Sequence, residues 1–336
     1  MSAGPSRAPV YIGGLDRSGK TTMAGFLTSH PNIDIPAVGS NLWTYFYGRY
    51  GDLAEGDNFD RCLEALVHYK HVAFLQPDPA RIRREFAQGA ATYGRLFELV
   101  HVHHAERSGK PRYGDQTGLV ERYADPLFRA YPDVRVIHMV RDPRDRYEAS
   151  LARWPDGRGR AGGAAARWAY SMRLADRNAR RHPGRYLVVR FEDLVTQTEQ
   201  TLRDACAFIG EEFHPSMLQM PGAPMRRARL LAAPGATPGT LLTHDVIGAF
   251  RGRIDTDELA FLQLQLRRRL RAHGYELQPT GWAPSHWVRF LATTWPDQAL
   301  RMASWRVRES LQQRLPTLVA RRPHHRMVLP DVVGAS

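Results

Sequence analysis

The sequence is poor in several things at once. Only two cysteines occur in 336 residues, Cys62 and Cys206. That excludes a disulfide framework and argues against a zinc site, which needs more ligands at close spacing. No apolar run reaches the roughly 20 residues of a membrane-spanning helix, and the opening MSAGPSRAPVYIGG lacks the apolar stretch of a secretory signal. A cytoplasmic location is therefore the expectation. Lysine is also scarce. Lys20, Lys70 and Lys110 are the only three, so the net charge of +13 rests on arginine. Part of that bias reflects codon composition, which weakens the case for nucleic acid. Arginine's planar fork suits phosphate, sulfate and carboxylate, and a basic surface suits anionic small molecules, acidic glycans or a membrane face. Internal repeats and coiled-coil heptads are missing as well. The length fits one large α/β domain or a domain with appendages.

The chain is organised around Tyr11 to Thr22, YIGGLDRSGKTT. Val10, Tyr11 and Ile12 predict a short buried strand. Gly13, Gly14 and Gly19 bracket a tight loop, and Lys20-Thr21-Thr22 opens a helix running through Met23, Phe26 and Leu27. A strand, a glycine-rich loop and a helix N-terminus bind anions, because loop N–H groups and the positive end of the helix dipole converge. Gly14, Gly19, Lys20 and Thr21 also satisfy the Walker A spacing.

Further along, Ile33–Val38 reads as a second short strand, and helical patterns follow near 60–75 and 80–107. Trp43, Tyr45, Phe46, Tyr47 and Tyr50 either line an acceptor pocket or fill core beneath a loop. His101 and His104 share a helix face without a carboxylate or cysteine at ligand spacing, so no metal is expected there. A helix is expected over 120–131. Val134–Val140 is the most apolar strand and ends abruptly in Arg141-Asp142-Pro143-Arg144-Asp145, where open α/β sheets bind ligands. Residues 155–165, PDGRGRAGGAA, read as a flexible arm or lid before a helix over 165–182. Tyr186–Phe191 is another strand, followed by a helix at 198–209. Residues 221–240 read as loop. Arg251-Gly252-Arg253, ahead of a helix over 255–273, offers a mobile basic clamp.

Successive βα units predict an α/β fold: a P-loop-like three-layer domain with a central parallel sheet flanked by helices, over residues 1–278. Residues 279–336 form a helical extension of different composition, with four of the seven tryptophans. There Leu300, Ala303, Val307 and Leu311 lie at helical spacing, with Arg301, Arg306, Arg308 and Arg314 outside the stripe. Packing of this stripe on the domain is the preferred reading, and peripheral membrane contact the alternative.

Four stretches, in order, resemble the 3′-phosphoadenosine 5′-phosphosulfate (PAPS)-dependent sulfotransferases, especially their bacterial and Golgi-like branch. Arg17-Ser18-Gly19-Lys20-Thr21 is similar to the family's RSGTT loop. Gly114-Asp115-Gln116-Thr117 is similar to its G-[DE]-K-T-P segment. His138-Met139-Val140-Arg141-Asp142-Pro143 resembles the strand–helix that grips the 3′-phosphate, and Arg190-Phe191-Glu192-Asp193-Leu194 the [RK]-Y-E-D-L segment. The resemblance covers roughly 8–275. It implies that Arg17, Ser18, Gly19, Lys20, Thr21 and Thr22 hold the 5′-phosphosulfate, Arg141 and Ser150 the 3′-phosphate, and Phe191 the adenine. It implies PAPS as donor co-substrate, no metal, and in-line transfer of a sulfuryl group to a hydroxyl or amine of a small-molecule, glycan or lipid acceptor, with Arg17 and Lys20 stabilising charge.

The departures are informative. Lys20 stands where the family has threonine, and Gln116 where it has lysine, so Lys20 is expected to move that positive charge into the loop. No acidic residue follows His30-Pro31 at the family's position, leaving Asp34, Asp115, His101 and His104 as candidate general bases. Two other classes stay open. Gly14–Thr22 and Asp145-Arg146-Tyr147-x-x-Ser150 also look like a thymidylate kinase, and a non-catalytic nucleotide- or sulfated-glycan-binding protein would keep the fold without turnover.

Overall fold

Val10, Tyr11 and Ile12 are all inaccessible to solvent, and that requirement organises the sheet. A computed structural model describes residues 8–153 and 160–314. Strand β1 (Val10–Gly13) lies at the centre of five parallel strands. The others are β2 (Ile33–Asp34), β3 (Arg112–Gln116), β4 (Arg135–Val140) and β5 (Tyr186–Arg190), in the order β2-β3-β1-β4-β5. Tyr11 pairs with Asp115 on one side and Val136 on the other, so the carboxyl ends of β1, β3 and β4 come level.

Both faces of a parallel sheet must be covered, and the side chains alternate accordingly. Tyr11 and Val136 point into a core built with α2 (Leu42–Tyr45), α3 (Asn58–Val67), α4 (Lys70–Ala73), α5 (Pro79–Phe86), α6 (Tyr93–Arg107) and α7 (Ala124–Ala130). Val10, Ile12, Ile137 and Met139 point to the opposite core. There they meet α1 (Lys20–Leu27), α10 (Phe191–Thr196) and α11 (Thr198–Ile209). A third cluster joins α8 (Pro143–Arg153), α9 (Arg160–Arg181), α13 (Thr256–Ala272), α14 (Pro284–Ala292) and α15 (Thr294–Arg314). The three-layer α/β architecture with a helical C-terminal extension is the expected one.

Several local expectations are corrected. The second strand stops at Asp34 rather than Val38, since the Ile35 N–H turns to Thr28 Oγ1 and Pro36 has no N–H to pair. The 80–107 pattern is two helices, because Thr92 caps a new start by accepting the Arg95 N–H. Residues 221–240 are not all loop: Pro224 at the first turn starts α12 (Pro224–Leu231).

Of the segment read as an arm, 155–159 lie outside the described residues, but Arg160–Ala165 open α9. Alanine is the best helix former, and Gly162 lets α15 approach to backbone contact. A Cβ there would lie 2.0 Å from the Gln298 carbonyl oxygen. The Gly162 N–H also donates to Gln298 Oε1 at 2.9 Å. On α15 the buried side chains are Gln298, Met302, Trp305 and Glu309. The stripe expected to pack inward faces outward instead, with Leu300 69% and Val307 60% exposed. The C-terminal tail beyond Arg314 lies outside the described residues.

Candidate functional site

The loop between β1 and α1 can only be built with glycine at two places. Gly14 has φ 106° and a Cβ on it would sit 2.2 Å from the Met139 carbonyl oxygen on β4. Gly19 has φ 96° and lies flat against the Phe191 ring, which an added Cβ would strike at 2.3 Å. Between them Arg17 takes a left-handed φ of 64°, which turns the loop back over the start of α1. The first N–H groups of α1 have no intrahelical acceptor, so the loop presents donors to a cavity of about 1170 Å³.

Of the residues implied for the phosphosulfate, Arg17, Gly19, Lys20, Thr21 and Thr22 line this cavity. Ser18 does not: it is buried and its Oγ donates to the Leu15 carbonyl. Lys20 Nζ donates to the carbonyls of Gly14 at 2.8 Å and Leu15 at 2.6 Å. Burial pushes its pKa down to about 8, against the raising influence of Asp16 and Glu121. A Cβ on Gly118, just past β3, would lie 3.8 Å from the Lys20 ammonium. Gln116 lines the cavity as well, but its amide is engaged by the carbonyls of Pro36 and Ala37. The positive charge beside the end of β3 thus comes from the loop.

Seven arginines line the same cavity, and one of them, Arg146, pairs with Asp16 at 2.8 Å. Arg17, Arg141, Arg226 and Arg229 all line it, and among the described residues none of the four forms an ion pair with a carboxylate. Arg17, Arg141 and Arg226 each leave a buried Nε without a hydrogen-bond acceptor. Burial, then repulsion from Arg229 and Arg141, lowers the pKa of Arg17. Burial, then Arg229 and Arg17, pushes Arg226 down to about 10. Groups held against their own solvation and against each other form a ready site for a multivalent anion. Arg226 donates to Thr22 Oγ1, fixing α12 to the loop. Arg226 and Arg229 were missed in sequence because their segment was read as loop. Pro224 followed by an amphipathic MRRARLL was the available signal. Arg251 and Arg253, expected as a clamp, are exposed and do not line the cavity.

Arg141 is held at the end of β4 from several sides. Its carbonyl accepts the Trp168 indole N–H at 3.0 Å, its Nη2 donates to the Val246 carbonyl at 2.8 Å, and its guanidinium sits 4.9 Å from the Phe191 ring centre. Asp142 caps α8 by accepting the Arg144 N–H, and its own N–H donates to Glu192. The RDP and FEDL motifs are thereby one structure. Ser150 reaches the cavity one turn further on, its Oγ donating to the Arg146 carbonyl. Asp145 accepts the N–H groups of Gly248 and Phe250, which gives the kinase-like D-R-Y triplet an architectural job.

The four candidate bases are all elsewhere. Asp115 is fully buried, with Oδ1 accepting the N–H groups of Ser40 and Gln116 and Oδ2 the hydroxyls of Ser40 and Thr117. Burial would raise its pKa, but His101 and these donors hold it below the usual carboxylate value. His101 stands 3.7 Å from it, and His104 faces Asp34 at 3.5 Å. None of the four lines the cavity. Two other groups do. Asp16 is a poor proton acceptor: burial opposes ionisation, yet Arg146 and Lys20 hold its pKa at about 2. His71 on α4 is different. Its Nδ1 lies 2.9 Å from the Gly39 carbonyl and 3.2 Å from Asn41 Nδ2; because a carbonyl can only accept, the shorter contact assigns the proton to Nδ1 and leaves the lone pair on Nε2. Burial depresses its pKa below the ordinary 6.5. Nothing in the local sequence marks His71.

Away from the loop, the cavity wall is Tyr45, Leu119, Leu151 and Trp305, the last from α15. Both readings of the 43–50 aromatics hold, each for different residues. Trp43 and Phe46 are core, with the Trp43 indole donating to Tyr11, while Tyr45 is wall.

Comparison with known proteins agrees with this construction. The sulfotransferase domain from the Synechococcus PCC 7002 olefin synthase is 18% identical, with 83% of this chain and 99% of that chain covered and a TM-score of 0.53. The sulfotransferase domain from the curacin biosynthetic pathway is 17% identical over 81% of this chain and 100% of that one, at a TM-score of 0.47. Mouse sulfotransferase SULT7A1, solved with PAP, is 10% identical over 79% and 84%, also at 0.47. No curated protein gives a significant sequence match. A family model described as "Sulfotransferase family" matches residues 9–215, more than half of the sequence, and the chain belongs to that family.

Proposed function

We propose that the protein is a PAPS-dependent sulfotransferase that moves a sulfuryl group to a hydroxyl or amine of a second substrate. The observation that carries this reading is the unpaired arginine set facing the β1–α1 loop. Arg17, Arg141, Arg226 and Arg229 line one cavity with the β1–α1 loop, and a ligand carrying a phosphosulfate and a 3′-phosphate would supply the anions they lack. PAPS, when bound, supplies the activated sulfuryl group. Thr21, Thr22, Arg17 and the N–H groups of the loop bind the phosphosulfate. Arg141 and Ser150 bind the 3′-phosphate, with Arg226 and Arg229 adding charge, and Phe191 flanks the adenine.

Charge builds on the leaving phosphate and the equatorial sulfuryl oxygens during in-line displacement, so preorganised donors there contribute most. Lys20 and Arg17 provide them, and the loop carbonyls fix the Lys20 ammonium before substrate arrives. His71 is the general base. Its Nε2 takes the acceptor's proton, while the Nδ1–H bond to Gly39 fixes the ring and its tautomer. The aromatic and aliphatic wall fits an acceptor with an apolar portion, such as a lipid or an aryl compound.

Calorimetric titration with 3′,5′-adenosine bisphosphate (PAP), with and without Mg²⁺, tests the donor site. Metal-independent binding that disappears in Arg141→Ala is the expected result. Selective binding of Mg·ATP and dTMP would overturn it in favour of a kinase. Binding of PAP without release of PAP from PAPS across a broad acceptor screen would leave a binding protein.

A further inference from the structure

We propose that the outward face of α15 docks the protein on an anionic lipid bilayer. Among the described residues nine large apolar side chains stand exposed, and six of them belong to α14 and α15: Val288, Leu291, Trp295, Leu300, Val307 and Leu311. Scattered exposed apolar residues need no explanation, but concentrations of them do. At about 100° per residue, Leu300, Val307 and Leu311 fall within about 40° of one another around the helix axis. Met302, Trp305 and Glu309 point the opposite way, into the body of the protein. The helix is therefore apolar on two sides, and among the described residues only one of them is covered.

The charges flanking the uncovered side decide what fits it. From Ala299 to Arg314 the one carboxylate is Glu309, which is buried and paired with Arg122. Arg306, Arg308 and Arg314 are exposed. The apolar line is thus railed by cations, and the one exposed acid of the helix, Asp297 in its first turn, is paired with Arg301. A second copy of the same face would set arginine against arginine, whereas lipid phosphates complement it. The arrangement is that of an interfacial helix: apolar side chains enter the acyl boundary while arginine stems lie along it and keep their heads at the phosphates. Each cation held near an anionic surface strengthens binding about fivefold.

The position of this face has a functional consequence. Trp305, on the opposite side of α15, walls the cavity, so docking holds the cavity about one helix diameter, ~10 Å, from the headgroups.

The test is cosedimentation of the full chain with vesicles of phosphatidylcholine alone and of phosphatidylcholine containing about a third phosphatidylglycerol. Partitioning at least about tenfold stronger on the anionic vesicles, and weakening with salt, is expected. The Leu300→Glu/Val307→Glu variant should lose about tenfold or more of it, with melting temperature and PAP affinity unchanged. If that variant does not fold, Arg306→Gln/Arg308→Gln serves, with an expected loss of about twentyfold. Equal partitioning on the two vesicles, or variants that still bind like the parent, would overturn the proposal. So would a parent that elutes as a dimer and a Leu300→Glu/Val307→Glu variant that elutes as a monomer, since the face would then be a self-association surface. Vesicle binding is read without PAPS, so its failure and the failure of the sulfotransferase reading are separate results.

Discussion

Two polar clusters stand at the carboxyl ends of neighbouring strands, and they are built on opposite principles. Around Asp115 on β3, four donors meet two carboxylate oxygens and an imidazole stands behind. Around the β1–α1 loop, guanidinium groups meet guanidinium groups, and buried nitrogens are left over. Both clusters carry the residue types of chemistry, and residue type alone does not rank one above the other. The Asp115 carboxylate is answered from within, with only His101 Nε2 behind it left over. On the proposed reading, the arginine cluster is completed by the anionic donor.

The comparison is broken most directly by swapping histidines. In His71→Asn the amide Nδ2 can still donate to the Gly39 carbonyl, but the free lone pair of Nε2 is gone. The turnover rate is expected to fall about 10²- to 10⁴-fold, while PAP affinity and melting temperature stay near the parent's. His101→Asn should do the reverse, lowering the melting temperature and leaving turnover of the folded protein largely intact. A catalytic loss in His101→Asn with normal turnover in His71→Asn would reverse the assignment.

Removing the answered carboxylate comes next in size. Asp115→Ala leaves two buried hydroxyls and two N–H groups without their acceptor, and should cost about 3 kcal/mol in urea unfolding. At concentrations where the variant remains folded, its PAP affinity should match the parent's. Arg226→Ala sharpens the other side. It should weaken PAP by about 2 kcal/mol, some thirtyfold, because hydrogen bonds to charged groups are worth about that. The apo protein should lose little stability, since relief of the repulsion from Arg17 and Arg229 offsets the lost bond to Thr22 Oγ1. Loss of stability without loss of PAP affinity would return Arg226 to the architecture.

The sheet and the loop were legible in sequence because they depend on local pattern. Val10 to Ile12 and Val136 to Val140 are apolar without interruption save for His138, and Gly14 and Gly19 are demanded by φ and by contact. Arg141 could be placed because it directly ends a strand. What could not be read was set by contacts remote in sequence. Asp115 was disqualified as a base by Ser40, 75 positions away. His71 was oriented by Gly39, and the α15 stripe was turned outward because Gly162 brings the other side of that helix against α9. Periodicity locates a helix face but does not choose which of two apolar faces is buried.

The mildest effect expected is a shape in the pH profile. Burial depresses both His71 and Lys20, but they act in opposite protonation states. In the proposed mechanism His71 acts as the neutral base, so kcat/KM should fall as pH drops through its pKa, below 6.5. Lys20 works as the ammonium, so kcat/KM should fall again as pH rises past about 8, reaching roughly a tenth of its plateau near pH 9. Bound phosphosulfate brings negative charge to the ammonium and raises its pKa, so the alkaline limb of kcat should lie above that of kcat/KM. Lys20→Arg keeps a cation that does not titrate in this range and should remove the limb, at a lower plateau. An alkaline limb that persists unchanged in Lys20→Arg belongs to another group, and the transfer of positive charge from the end of β3 into the loop would then be architecture too.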